Sequence, residues 1–330
     1  MRAVITCPGR GSYTEKSMGT LPGEHPFVEI AEQLRKEAEL PSLLELDRAE
    51  RFSGAVHLRP ANVSALIYLI CALDCEQARR DHDVVAIAGN SMGWYSALAM
   101  AGALSFAEGF RLVQEMALIQ ERFEQGGQIL YPLVDDEWRT DPERVALVEQ
   151  AIAESEGEAF WSIRLGGYAV LAGTEVGVKH LLGALPQAKV GGTLYPFRLM
   201  RHGPYHTKLL EPVTAEAHRR LADLNFRAPE VTLIDGRGRR HTPWSADVDE
   251  LRRYTFGEQV TTPYDLTASL RVALREYAPD RMVLPGPGNT LGGVVAQVMI
   301  AEGWRGLRSK ADFQVMQKSE DPPIESMRRA

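Results

Sequence analysis

The stretch Asp81–Leu104, DHDVVAIAGNSMGWYSALAMAGAL, decides the fold. An apolar run, Val84–Val85–Ala86–Ile87–Ala88, breaks at Gly89, and Gly89–Asn90–Ser91–Met92–Gly93 leads straight into the alanine-rich segment Trp94–Ala103. That order predicts a buried strand, a tight turn and a helix. A Gly-x-Ser-x-Gly at such a turn is a nucleophile elbow: the glycines allow the sharp turn and close packing, and the serine is held up at the helix N-terminus. Free backbone N–H groups and the positive end of the helix dipole favour developing negative charge there. Ser91 is therefore the candidate nucleophile.

The rest of the composition bounds what surrounds this elbow. At 330 residues the chain is long enough for a full hydrophobic core and fits one large domain carrying a smaller one. A formal charge of −7 argues against a general nucleic-acid binder. The small basic runs Arg237–His241, Arg252–Arg253 and Arg328–Arg329 read as solvated faces, with docking of an acidic partner as the alternative. Cys7, Cys71 and Cys75 form no disulfide framework and no Cys-x-x-Cys pair, which points to reduced thiols and a cytoplasmic setting. Cys71 and Cys75 sit one helical turn apart, but with no further ligand cluster in the sequence they read as core packing, so no metal site is expected. Met1–Arg2 opens no signal peptide, and the longest apolar stretch, Val63–Leu73, is too short to cross a bilayer. No membrane association is expected.

Outward from the elbow, Ala3–Cys7 reads as a buried strand ended by Pro8–Gly9–Arg10–Gly11–Ser12. Phe27–Glu39 and Pro60–Arg79 carry helical spacing, the second with Asn62 or Ser64 as possible caps. Ser105 is placed to cap a helix over Phe106–Gln125. Beyond Gly126–Gly127 the period changes to strand (Gln128–Val134), helix (Asp141–Ser155), two strands (Ala159–Ala172), helix (Glu175–Leu185) and strand (Gly192–Met200). This βαββαβ order predicts a ferredoxin-like insertion, with Gly126–Gly127 and Gly191–Gly192 as its hinges. The fold expected is α/β: an α/β-hydrolase-like large domain with a parallel sheet and the elbow (residues 1–126 and 198–310), an inserted ferredoxin-like domain (127–197) and a loosely held tail (311–330).

Several separated motifs point one way. The chain resembles the malonyl-CoA:acyl carrier protein transacylase family, which includes the acyltransferase domains of fatty acid and polyketide synthases. Pro8–Gly9–Arg10–Gly11–Ser12 matches the family's PGQGS, and Gly89–Phe106 matches GHSLGEYSALVAAGALSF. Tyr205–His206, followed by Leu209–Leu210–Glu211–Pro212, matches the segment of its catalytic histidine, and Gly286–Pro287–Gly288 its late GPG turn.

The resemblance implies ping-pong acyl transfer with no bound cofactor. Ser91 attacks the thioester of an acyl-CoA, holds the acyl group as an ester, and passes it to the phosphopantetheine thiol of an acyl carrier protein. His206 corresponds to the general base, oriented in this family by a main-chain carbonyl. That carbonyl maps onto Gln259 in Gln259–Val260–Thr261–Thr262–Pro263, where the family shows Q-x-x-N-P. The oxyanion hole maps onto the backbone N–H groups of Arg10 and Met92.

Departures from the family bear on the acyl group. The arginine that pairs with the malonyl carboxylate in carboxyacyl-specific members corresponds to Met116, and a thioether cannot neutralise a carboxylate. An uncharged short acyl group is therefore expected on Ser91, unless Arg10, Arg164 or Arg201 supplies the cation from another direction. Asn90 replaces the usual His before the serine, Trp94 replaces a Glu, Arg164 falls near an Asn of the small domain, and Tyr205 narrows the pocket. Two other readings compete: an editing acyl hydrolase that clears acyl groups from carriers, and a non-catalytic carrier-docking module. Retention of both Ser91 and His206 argues against the last.

Overall fold

The computed structural model describes residues 1–123 and 125–327; the basic pair Arg328–Arg329 lies outside them. Strand β1 (Arg2–Cys7) is followed by helices α1 (Pro26–Glu37), α2 (Leu43–Asp47), α3 (Gly54–His57) and α4 (Pro60–Asp81), then β2 (Asp83–Gly89), α5 (Gly93–Met100) and α6 (Phe106–Arg122). Next come β3 (Gly127–Pro132), α7 (Pro142–Ala153), β4 (Ala159–Leu165), β5 (Tyr168–Gly173), α8 (Glu175–Ala184), β6 (Ala188–Val190), β7 (Thr193–Tyr195) and β8 (Phe197–Arg198). The chain then returns through α9 (Glu211–Arg220), β9 (Thr232–Ile234), β10 (Arg240–His241), α10 (Val248–Phe256), α11 (Glu258–Thr261) and β11 (Tyr264–Asp265). It closes with α12 (Leu266–Tyr277), β12 (Arg281–Leu284), α13 (Gly292–Ala301), α14 (Lys310–Gln317) and β13 (Ile324–Ser326).

The main sheet runs β10-β9-β2-β1-β12-β13, and every neighbouring pair is parallel except β10 with β9. Strands covered on both faces read as continuous apolar runs, as Ala3–Cys7 and Ala86–Gly89 do. α4 is buried over most of its 22 residues and packs against α6, so it shows little of the one-sided patterning of a surface helix. Its start differs from the sequence reading. Asn62 accepts from Arg35 Nη2 at 2.7 Å and donates to the Val56 carbonyl at 2.9 Å, so it is engaged elsewhere. Pro60 begins the helix instead, and the Glu121 carboxylate takes the Ala61 N–H at 2.9 Å. At α6 the expected cap holds: Ser105 and Glu108 form a reciprocal capping box.

The second sheet runs β11-β4-β5-β3-β8. Its β4-β5-β3-β8 part is antiparallel, in the order of a ferredoxin-like unit, with α7 and α8 joined to a separate core around Ile129, Tyr131, Val148 and Leu181. Three features depart from the sequence reading. Tyr264–Asp265 of the large part adds a parallel fifth strand beside Ile163–Arg164, so this sheet extends beyond residues 127–197. The expected strand over 192–200 is split, and Gly191–Gly192, both at positive φ, form the two-residue turn of the β6–β7 hairpin rather than a hinge. The tail is not loose: β13 pairs parallel with β12 through Met282↔Ile324, Val283↔Glu325 and Leu284↔Ser326. Phe313 and Ile324 are buried, and Gln317 brackets Ile324 with two hydrogen bonds. Mixed charge hid an edge strand that buries Ile324.

The basic runs within the described residues are neutralised locally. Arg237 pairs with Asp235 and Glu258, Arg239 with Glu250, Arg240 with Glu276, and Arg253 with Asp247. Among the described residues no helix is long and apolar enough to cross a membrane. Cys7, Cys71 and Cys75 converge in the core with their sulfurs within 4.8 Å of one another.

Candidate active site

The elbow is built by close approach. A Cβ on Gly89 would lie 2.1 Å from the Gly93 carbonyl oxygen, and one on Gly93 would lie 2.2 Å from that of Cys7. Only glycine fits at either position. Ser91 itself is held at φ +56, a conformation that a non-glycine residue adopts only where its surroundings enforce it. Three hydrogen bonds do so here. The Asn90 N–H reaches the Cys7 carbonyl at 2.9 Å, the Trp94 N–H reaches the Ser91 carbonyl at 3.0 Å, and Gln259 Nε2 reaches that same carbonyl at 3.1 Å.

Ser91 Oγ lies 2.7 Å from His206 Nε2. On the far side of the ring, His206 Nδ1 lies 2.6 Å from the Gln259 main-chain carbonyl. A carbonyl can only accept, so Nδ1 carries the hydrogen and Nε2 presents its lone pair to the serine hydroxyl. Burial pushes the imidazole pKa down to about 4; the Gln259 hydrogen bond opposes this and the Arg10 charge adds to it. At neutral pH the ring is therefore an unprotonated base in contact with the hydroxyl.

Gln259 acts at two points. Its side-chain oxygen accepts from Tyr95 Oη at 2.7 Å while its amide nitrogen braces the Ser91 carbonyl, so one residue ties the base to the elbow. The loop that carries His206, itself at φ +59, is anchored to the small sheet. Ser162 Oγ on β4 donates to the Tyr205 carbonyl at 2.8 Å and accepts from Gln128 Nε2 on β3 at 2.5 Å. Gln128 Oε1 in turn accepts from His202 Nδ1 at 2.8 Å. Burial, assisted by Arg10, pushes His202 down to about 3, so it too is neutral.

Arg10, Ser91, Met92, Gln120, Tyr205 and His206 share a small chamber at the elbow. Arg10, Asn90, Ser91 and Tyr205 also line a cavity of about 540 Å³ between the two sheets, walled by apolar residues including Leu130, Ile163 and Leu291 and reaching Arg201. Met92 immediately precedes the first helical residue of α5, and Arg10 follows Pro8–Gly9 at the end of β1. Gly9 is forced by the approach of that loop to the elbow, since a Cβ there would stand 2.7 Å from the Asn90 carbonyl oxygen. Asn90 is buried, and its Oδ1 has no hydrogen-bond partner.

Two pocket residues expected from the sequence fall elsewhere. Met116 on α6 is 1% exposed, belongs to the main core, and lines neither the chamber nor the cavity. Gln120, one helical turn on, lines the chamber instead. Arg164 is exposed on β4 with its guanidinium stacked 4.2 Å from the centre of the Trp161 ring, and it lines neither space. Arg201 is exposed, at the large cavity only. Gln120, Gln128, Ser162 and His202 have no motif in the sequence to mark them; only the folded contacts reveal them.

A serine in a strained strand-to-helix turn, held by a neutral histidine that a main-chain carbonyl orients, defines a class: α/β acyl-transfer proteins with a nucleophile elbow and a Ser–His pair. No protein-family model matches the chain. It is 24% identical over 297 residues to the malonyl CoA-acyl carrier protein transacylase of Escherichia coli (strain K12), covering 88% of this chain and 91% of that protein. The malonyl-CoA:acyl carrier protein transacylase of Synechocystis sp. PCC 6803 superposes with a TM-score of 0.75 at 18% identity, over 99% of this chain and 97% of that one. A malonyl-transacylase solved in complex with its type II polyketide synthase acyl carrier protein gives 0.74 at 18%, over 90% and 92%. The chain is thus similar over most of its length to malonyl-CoA:acyl carrier protein transacylases, and it shares their fold and that of a polyketide synthase acyltransferase domain.

Proposed function

We propose that this protein moves an acyl group from a coenzyme A thioester to the phosphopantetheine thiol of an acyl carrier protein, in fatty acid or polyketide synthesis, through an ester on Ser91. The observation that carries this reading is the 2.7 Å contact of Ser91 Oγ with a His206 ring fixed from behind by the Gln259 carbonyl. His206 Nε2 takes the hydroxyl proton as Oγ bonds to the thioester carbon. The carbonyl oxygen becomes an oxyanion, received by the backbone N–H groups of Met92 and Arg10. Collapse breaks the carbon–sulfur bond, and His206 returns the proton to the departing coenzyme A thiolate. In the second half the carrier thiol gives its proton to His206 and attacks the ester carbon, and Ser91 leaves with the proton restored. The apolar cavity between the sheets suits the pantetheine arm that both thioesters share. Ser91 lines this cavity, which supports one route for donor and acceptor.

Resemblance to relatives whose names include malonyl CoA and acyl carrier protein supports the donor and the partner. The test is intact-mass spectrometry after incubation with a panel of acyl-CoAs, followed by addition of a phosphopantetheinylated acyl carrier protein. Acyl mass on wild type and none on Ser91→Ala is expected, with the mass moving to the carrier when it is added. Release as free acid at the same rate with and without carrier would identify an editing hydrolase instead.

A further inference from the structure

We propose that Cys7, Cys71 and Cys75 form a three-sulfur site for one trivalent thiophilic ion, with arsenic(III) as the representative, in the core beside the elbow. The chain has three cysteines in all, and the fold brings them to one point. Cys7 ends β1, while Cys71 and Cys75 lie one turn apart on α4. The sulfurs of the helical pair are 3.9 Å apart, and all three lie within 4.8 Å of one another. Bonds of about 2.3 Å to a central ion space three sulfurs about 3.4–4.0 Å apart, from pyramidal to planar geometry. The helical pair already has that spacing, and a small swing of the Cys7 side chain closes the triangle. In sequence the pair lacks a third ligand; the fold supplies it from β1.

The surroundings choose the ion. All three thiols are free, at most 1% exposed, and part of the main core. Among the described residues no His, Asp or Glu places a ligand atom within the same distance of all three sulfurs. Three ligands remain, whereas Zn2+ in a structural site takes four. All-sulfur ligation selects soft, thiophilic ions. Charge decides among these, because three thiolates bring three negative charges into an apolar region where a net charge is costly. Cu(I) would leave two of them uncompensated, and a trivalent ion gives a neutral complex. With arsenous acid the step balances without redox change: three As–S bonds form, three As–O bonds break, and each thiol proton leaves with a hydroxide as water. Ligation pins the end of β1 to α4. The Cys7 carbonyl receives the Asn90 N–H at 2.9 Å, so the strand end that is pinned is the one on which the elbow rests.

The experiment takes the full chain, reduced with a phosphine, and offers it sodium arsenite, Zn2+ or Cu(I), both as folded protein and during refolding from urea. Intact mass spectrometry and thermal melting are the readouts, and neither depends on the Ser91 ester. Wild type should gain one arsenic less three protons, and its melting temperature should rise by at least about 3 °C, since an ion that binds the folded state stabilises it. Cys7→Ala should lose that adduct, or hold arsenic with one hydroxide retained, and should lose the thermal shift. Cys75→Ala should do the same, and the proton count on wild type decides the matter alone if neither variant folds. No arsenic on wild type by either route overturns the site. So does an adduct that keeps a hydroxide, or one that lowers the melting temperature. A chain that takes Zn2+ or Cu(I) but not arsenite overturns the trivalent assignment.

Discussion

The main-chain carbonyl of Gln259 accepts the Nδ1–H of His206 at 2.6 Å because Pro263, the residue whose N–H that carbonyl would receive in a continuing helix, has no N–H to give. α11 stops at Thr261 and its last turn leaves the acceptor free. Replacing Pro263 with Ala supplies a competing donor. We expect acylation of Ser91 to slow about tenfold, the scale of one orienting hydrogen bond, with little change in KM. Pre-steady-state mass spectrometry of the acyl-enzyme checks this, and an unaltered rate would show that the carbonyl is held by other means.

The neutrality of His206 sets the pH dependence. Its pKa is pushed down to about 4, so kcat/KM for acyl-enzyme formation should stay level from neutral pH down to about 5 and fall through about 4. Stability follows the same groups. His206 and His202 take up protons near 6.5 when the chain is unfolded but only near 4 and 3 when it is folded. Between these values the unfolded state binds more protons, so stability falls as pH falls from about 6.5 towards 4. Denaturant unfolding at pH 7 and pH 5 measures it, and His206→Ala should flatten part of the slope. A slope unchanged by that substitution would contradict the buried, neutral state of the ring.

Met116→Arg should weaken the fold rather than redirect specificity towards a carboxylated acyl group. Met116 is 1% exposed within the main core and does not line the chamber, so the new guanidinium would be buried among apolar side chains. We expect a loss of about 3–5 kcal/mol, the scale of an uncompensated buried charge. Thermal melting checks the loss. A variant as stable as wild type that gains malonyl preference would restore the position to the pocket.

Deleting residues 310–330 should destabilise the main sheet. It removes β13 from the edge of β12 together with the buried Phe313 and Ile324, which contribute about 1.5–3 kcal/mol each. A lowered melting temperature is the expected outcome. An unchanged one would mean that the tail is loosely held after all.

Much of this site was legible in the sequence because short-range geometry dictates it. Gly89 and Gly93 are required wherever a strand turns sharply into a helix against the end of a neighbouring strand, and Ser91 between them can point only out of the turn. His206 and Gln259 were found from their matched segments, and Pro263 explains locally why the carbonyl of Gln259 is available. The chamber's α6 wall was not legible, since helical spacing puts Met116 and Gln120 on one face of α6 and says nothing about where along that face the core ends and the chamber begins. The direction of Arg10 was equally hidden, because a loop residue is free in sequence to face solvent, and only the Tyr205 ring and the Gln120 amide turn it inward. The tail misled in the opposite sense: its charges suggested a solvated segment, whereas pairing with β12, which the sequence does not encode locally, makes Ile324 part of the core. The chain alone pointed to Ser91 and His206 as candidates and to the α/β scaffold, because each follows from contacts a few residues apart or from a motif read whole. Only the tertiary structure decided which side chains share the chamber at the elbow, because that depends on how the loop after β1, helix α6 and the His206 loop come together in space.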